Sequence, residues 1–291
     1  MPELPDLVYI VKHLAPEIEG RMVTAVAVRE PVVIRMTAGG LFAEALAGRK
    51  ILSLSRHGPF LVFGMRARAG AAETGMAAHL MLSGHWQLAG GARRTKHECF
   101  ALTLDDGRSL RYGDETRMGR IYVGPPATFA GIPGFSAQGV DPTTPDFTLE
   151  AFRRMIAGKR CQVRVLVMDQ ALISAVGNAY ADEILFAAGL HPKTRCHQLS
   201  DPEVARLHAA IVETLRRGIE EVERAARPVE VKVRDHMKVR NRKGEPCPVC
   251  GTTIRRAAVL GYDTFFCPSC QPERSGRGIP WTARPGSGPA P

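Results

Sequence analysis

Three stretches of this 291-residue chain carry residue types that could do chemistry. The first is Met1-Pro2-Glu3. With the initiator Met removed, Pro2 presents a secondary amine beside a carboxylate. An α-amino group titrates at about 7.7–8.0, far below lysine. A sizeable neutral fraction can then attack an electrophilic carbon near neutral pH, and Glu3 can give or take the proton. Read alone, the same residues are most simply a start codon followed by a rigid proline entering a helix. The second stretch is Cys247-Pro248-Val249-Cys250, sixteen residues, then Cys267-Pro268-Ser269-Cys270. Two Cys-x-x-Cys knuckles at this spacing fit one tetrahedral zinc held by Cys247, Cys250, Cys267 and Cys270. Four thiolates close the coordination sphere, so the zinc is scaffold. The third is Gly177-Asn178-Ala179-Tyr180. Gly177-Asn178 reads as a helix start, where exposed amides make a natural phosphate seat. On its own, Asn178 is also a plain cap.

The elements that must position these groups follow from periodicity. Leu4, Leu7, Val8, Val11 and Leu14 share one helical face, which would fix the N-terminus against a core. The period then shortens. Val23 to Val28, Ile51 to Leu54, Leu61 to Met65, Met76 to Leu82, Cys99 to Leu104 and Ser109 to Tyr112 read as short strands, and Asp105-Asp106-Gly107 reads as a hairpin turn. Such a run of short strands predicts a β-sandwich or barrel. Gly70 to Gly75 and Ala89 to Lys96 read as loops. Arg93 to His97 is basic, either a solvated loop or a phosphate contact.

Residues 124–147 are rich in proline and read as a linker. Helical patterns follow over Thr148–Ala157, Cys161–Asp169 and a segment ending at Gly189, with Pro192 beyond it. Ser200-Asp201-Pro202-Glu203 is a capping box that opens a helix running to about Arg224. A basic connector, Arg227 to Glu245, leads to the knuckles, and the residues around Leu260-Gly261 read as a hairpin. Gln271 to Pro291 has the composition of a disordered tail.

The net charge of +10 argues for a polyanionic partner, nucleic acid first and a membrane surface second. No apolar run is long enough for a transmembrane helix, and no signal peptide is visible. Seven cysteines, four of them clustered, fit a reducing compartment better than a disulfide framework. Cys99, Cys161 and Cys196 default to buried structural positions.

In their order and spacing, Met1-Pro2-Glu3-Leu4-Pro5, Gly177-Asn178-Ala179-Tyr180-Ala181-Asp182-Glu183 with Gly189-Leu190-His191-Pro192, and Arg242-Lys243-Gly244-Glu245-Pro246-Cys247 are specific as a set. Over roughly residues 1–271 the chain resembles the formamidopyrimidine-DNA glycosylase / endonuclease VIII family, the formamidopyrimidine branch more closely. The resemblance implies an α+β multidomain fold: a β-sandwich with an N-terminal helix (1–123), a linker (124–147), a helix–two-turn–helix domain (148–240), a zinc-ribbon hairpin (241–271) and a disordered tail (272–291). It implies a cytoplasmic, nucleoid-associated, monomeric repair enzyme acting on double- or single-stranded DNA with damaged bases or abasic sites. Such enzymes flip the damaged base out of the stack. Mapped by motif, Pro2 is the nucleophile, Glu3 the general acid/base, and Asn178 a phosphate ligand. The resulting Schiff base drives β,δ-elimination.

Departures from the family pattern bear on specificity. Pro59 stands where the family carries a phosphate-contacting Lys, leaving Arg56 or His57 to compensate. Tyr262 holds the place of the hairpin Arg; Lys243 precedes the first knuckle. The positions that fill the void of a flipped base are Leu82, Thr116 and Met118, with Arg117 one residue off register. Asp6 replaces a Glu. This set implies a changed lesion range, such as single-stranded, bulky or crosslinked substrates. Two other readings stay open: a non-catalytic protein that binds damaged DNA, and a zinc-ribbon RNA or ribosome factor, which leaves the N-terminus unexplained.

Overall fold

The computed structural model describes residues 1–66, 73–91, 95–259 and 261–274. Helix α1 (Leu4–Ile18) buries Leu4, Leu7, Ile10, Leu14 and Ile18, while Val8 and Val11 are half-buried at its edge. It runs a turn past the expected stripe and tolerates Pro16 near its end.

Nine strands follow: β1 (Val23–Val28), β2 (Ile34–Met36), β3 (Lys50–His57), β4 (Phe60–Arg66), β5 (Thr74–His79), β6 (His85–Gly90), β7 (Glu98–Leu104), β8 (Arg108–Gly113) and β9 (Arg120–Gly124). A short helix, α2 (Phe42–Leu46), separates β2 from β3. The strands form two sheets, ordered β1-β7-β8-β6 and β2-β9-β5-β4-β3. All pairings in them are antiparallel except β2 with β9. Trp86 of one sheet meets Phe63 of the other at 5.1 Å between ring centroids, and Phe100 and Tyr112 complete the layer. The sandwich expected from the short strands is therefore present.

Three of its strands, β2, β6 and β9, lie outside the alternating runs of the sequence. β6 takes in Ala89, expected in a loop, and β5 takes in Gly75. β5 also ends at His79 instead of running to Leu82; Met81 has φ 48° and turns the chain, leaving Leu82 at the surface. Of the basic loop, Arg93 and Arg94 lie outside the described residues.

The proline-rich segment is docked, not slack. Its 3₁₀ turn, Pro126–Gly131, places Phe129, followed by Ile132, against Phe60, Ala77 and Tyr122. Helix α3 (Leu149–Ile156) starts where Thr148 Oγ1 accepts the Ala151 amide at 3.1 Å. Helix α4 (Val163–Val167) is shorter than its apolar pattern. Helices α5 (Asn178–Ala188) and α6 (Asp201–Ala225) form the helix–two-turn–helix pair. Gly189 closes α5 in the left-handed region, and the Ser200–Glu203 box opens α6. At Gly218 a Cβ would come within 2.5 Å of the Tyr180 ring, so the two helices approach too closely there for any larger residue.

After α6 the chain runs as a strap, residues 227–241, back across α1. Tyr9 Oη donates to the Arg227 carbonyl at 2.7 Å, and Gln87 Nε2 donates to Glu230 at 2.9 Å. The final hairpin pairs β10 (Arg255–Val259) with β11 (Tyr262–Phe266). It packs on α5 through Phe186, Val239 and Phe265. Arg274 reaches back to Glu203, and residues 275–291, read as a disordered tail, lie outside the described residues. Among the described residues no helix is long and apolar enough to cross a membrane.

Candidate active site

The N-terminus, the start of α5, the strap and the hairpin meet at one cleft of about 590 Å³, lined by Met1, Glu3, Leu82, Asn178, Lys232 and Tyr262 among others. Glu3 is its anchor. Its side chain is 3% exposed, yet its carboxylate accepts three backbone amides at the start of α5: Gly177 at 3.0 Å, Ala179 at 2.9 Å and Tyr180 at 3.0 Å. The first amides of a helix lack partners inside it and attract negative charge. Glu3 therefore caps α5 from 174 residues away in sequence. The cap residue itself, Gly177, has no side chain to do so, and it can have none: a Cβ there would sit 2.7 Å from Glu3 Cδ.

Asp6 holds the other side of the corner. Its carboxylate accepts the Glu3 amide at 2.8 Å and both Arg234 Nη atoms at 2.8 and 2.6 Å. The terminal amine, carried by Met1 with Pro2 buried behind it, has its pKa brought down to about 6. Burial is the main cause; Lys232 and Arg234 push the same way, against Glu3 and Asp6.

Asn178 is the first residue of α5, not its capping side chain. Its Oδ1 accepts from Arg164 Nη2 at 2.7 Å, which leaves the amide NH₂ as the donor presented to the cleft. Arg164 is 1% exposed and also binds Asp182. Asp182 is shared with Arg240, whose Nη1 donates to it at 2.8 Å and to the Asp263 carbonyl at 3.0 Å. One residue along, Glu183 accepts the amides of Lys238, Val239 and Arg240 at 2.8–2.9 Å and fixes the strap to α5.

The four knuckle cysteines bring their Sγ atoms within 4.8 Å of one another. Zinc–thiolate bonds of about 2.3 Å in a tetrahedron separate the sulfurs by roughly 3.8 Å. The observed separations of 3.8 Å for Cys247–Cys270 and 3.4 Å for Cys250–Cys267 fit that cage. The site holds one structural zinc; it clamps the hairpin and takes no part in bond making.

The sequence matches three family models in order: the formamidopyrimidine-DNA glycosylase N-terminal domain over residues 1–121, the formamidopyrimidine-DNA glycosylase H2TH domain over 138–227, and a zinc finger found in FPG and IleRS over 244–272. The chain belongs to the formamidopyrimidine-DNA glycosylase family. It is 36% identical to the formamidopyrimidine-DNA glycosylase of Symbiobacterium thermophilum, over 98% of this chain and 94% of that one. It is 32% identical to the Bacillus subtilis enzyme of that name, over 94% and 100%. Among solved structures, the MutM (FPG) protein of Thermus thermophilus superposes with a TM-score of 0.80 at 31% identity, covering 94% of this chain and all of that one. Lactococcus lactis Fpg in complex with abasic-site DNA superposes with a TM-score of 0.83 at 26% identity, over 93% and 100%.

Within this glycosylase fold the residues expected to grip a ligand divide into two groups. Pro2, Glu3, Asn178, Leu82 and Tyr262 converge on the cleft or its immediate wall. Arg56 and His57 do not: Arg56 is ion-paired with Asp141, and His57 Nε2 donates to the Phe135 carbonyl at 2.7 Å. Arg117 pairs with Glu30 at 2.9 Å and is more than half exposed. Thr116 bonds Ser83 at 2.8 Å and so stands next to Leu82. Met118 is exposed, as is Lys243, which does not line the cleft. Lys232, Arg234, Arg240 and Arg164 were not singled out from the sequence. The basic connector announced the first three as a group; Arg164 carried no signal beyond its place in an apolar helix.

Proposed function

We propose that this protein is a DNA repair glycosylase with abasic-site lyase activity, in which Pro2 is the nucleophile and Glu3 the general acid/base. The observation that carries this reading is the Glu3 corner. A buried carboxylate, oriented by three α5 amides, lies beside the N-terminus, in the cleft where sandwich, helices and hairpin meet. The amine lone pair forms a bond to C1′ of the deoxyribose, and the glycosidic pair leaves with the base. Loss of the amine proton and opening of the sugar ring give an iminium. Glu3 is within the cleft to supply the proton the ring oxygen needs. The iminium accepts the electrons released when C2′ loses a proton, and the 3′ phosphate departs; the conjugated iminium so formed accepts the electrons released when C4′ loses a proton, and the 5′ phosphate departs. Asn178 holds the phosphate, with Arg240 beside it; Leu82, Thr116 and Met118 stand where the void of an everted base would be filled.

The division into 1–123, 148–240 and 241–271 follows from this reading, as does a cytoplasmic place with the chromosomal DNA, supported by the net charge of +10. Engagement of Arg56 and His57 inside the protein favours a second reading, a damage-binding protein without chemistry. Borohydride trapping on abasic-site DNA separates the two. The expected result is a covalent complex that is lost in Pro2→Gly and when Met1 is left in place. Binding with no trapped complex would select the second reading.

A further inference from the structure

The three cysteines outside the zinc cage are not alike. Cys99 is fully buried, with its thiol 3.6 Å from the His97 carbonyl. Cys161 and Cys196 face each other instead: their Sγ atoms are 3.8 Å apart, although 35 positions separate them in sequence. Cys196 is buried as expected, whereas Cys161 is only half-buried, so the pair has one member inside and one within reach of solvent. The backbone sets this pairing. Gln162 and Arg195 form an antiparallel bridge, which stands Cys161 opposite Cys196 one position along. The Cys196 amide donates to the Cys161 carbonyl at 2.9 Å, and the Val163 amide to the Thr194 carbonyl at 2.8 Å, one on each side of the bridge. Opposed residues at hydrogen-bonded ladder positions have Cα atoms about 5.5 Å apart. That lies inside the range of about 4.4–6.8 Å that a disulfide spans. Bonding therefore asks for turns of two side chains, not for movement of the ladder. A metal does not account for the pair: among the described residues the only group of three or more such ligands is the zinc cage.

We propose that Cys161 and Cys196 are a redox-active pair that closes to a disulfide under peroxide and staples the two ends of the segment carrying Arg164, Asn178 and α5. The inference does not depend on the lyase chemistry. Cys161 is the member a dissolved oxidant reaches. Its sulfur, giving up its proton, attacks one peroxide oxygen; an S–O bond forms, the O–O bond breaks, and water leaves. The Cys196 sulfur then attacks that sulfenic acid; the S–S bond forms, the S–O bond breaks, and the Cys196 proton leaves with the hydroxide as a second water. Two thiols give up two electrons and the peroxide takes them. Burial, and then the neighbouring Cys161, push the Cys196 thiol up to about 12, so it waits protonated in the reduced protein. The influence of a Cys161 thiolate ends once that residue is a neutral sulfenic acid. Capture by Cys196 also spares Cys161 the irreversible steps beyond sulfenic acid.

The test treats the full-length, zinc-loaded protein with a modest excess of hydrogen peroxide, blocks the remaining thiols and maps peptides without reduction. Zinc release is followed with a chromogenic chelator. The expected product is one linked peptide pair, Cys161 to Cys196, removed by dithiothreitol, with zinc retained. The melting temperature should rise by about 5 °C or more over the reduced protein, because the bond closes a long loop of the unfolded chain. Cys161→Ser should give neither the linked peptide nor the rise. Cys196→Ala should leave a sulfenic acid on Cys161 that dimedone captures. An unmodified Cys161 in the wild type would overturn the proposal, as would a sulfonic acid on Cys161 with no linked peptide. Pairing of Cys161 with a knuckle cysteine would overturn it too. A Cys161–Cys196 link that leaves the melting temperature unchanged or lowers it would refute the staple.

Discussion

At the β3–β4 turn, Arg56 lies against Asp141, His57 donates to Phe135, and Gly58 abuts Gln138 so closely that a Cβ would overlap its side chain. On the strap, Lys232 has no carboxylate partner among the described residues, and Arg240 donates through Nη1 to Asp182 and the Asp263 carbonyl while its guanidinium lies over the Phe265 ring. Both stretches are basic, and the first was the one expected to meet phosphate. In the first, the charge has been committed to the docked linker; in the second, Asp6 holds Arg234, Arg240 shares Asp182 with Arg164, and Lys232 and Arg240 both line the cleft. A count of Lys and Arg therefore locates a polyanion surface only after the carboxylates that already claim them are subtracted. On the proposed reading, the cations nearest the reacting corner come from the strap.

The largest effect expected on this contrast is at the corner itself. Glu3→Gln replaces one accepting oxygen by a donor that faces amides. Single-turnover cleavage should fall by about 10²-fold or more, and thermal unfolding should show a stability loss of about 1–3 kcal/mol from an unsatisfied amide. Gly177→Ala should reproduce much of this without touching a reacting group, because the added methyl displaces the Glu3 carboxylate. Full activity in Gly177→Ala would mean that the three-amide seat is not what orients Glu3. Next in size is a matched pair on the two basic stretches. Arg240→Ala should weaken binding of abasic-site DNA about tenfold and reduce the salt slope by about 1. Arg56→Ala should leave affinity and slope unchanged and instead lower thermal stability, since it strands Asp141 half-buried. The reverse result would mean that the β3–β4 turn opens on DNA.

What could be read without coordinates was whatever is local. The capping box at Ser200, the stop at Gly189 and the cysteine spacing each depend on residues within one turn or one knuckle, and each is where the pattern put it. β6 was hidden because its alternation, His85-Trp86-Gln87-Leu88, lasts only four residues before Ala89-Gly90. Arg56–Asp141 spans 85 residues and Glu3–Gly177 spans 174, separations no periodicity reports. One signal for the second was present. A helix that opens on Gly177-Asn178, with no Ser, Thr or Asp at the cap, leaves its first amides unpaired, and buried amides find a partner somewhere. The carboxylate nearest the chemistry is that partner.

The smallest effect tests whether the strap has filled a seat the hairpin left. Tyr262 opens β11 beside the same cleft and is half exposed. If Arg240 already serves the phosphate next to Asn178, then Tyr262→Arg adds a charge where one is in place, and affinity should rise by less than about threefold. In the Arg240→Ala background the same substitution should recover most of the tenfold loss and restore the salt slope, because the new guanidinium then meets an unneutralised phosphate. The coupling between the two positions is what carries the information: residues serving one phosphate do not add, and distant ones do. Additive effects, or a tenfold gain from Tyr262→Arg alone, would show two separate phosphates and return the hairpin position to an unfilled contact.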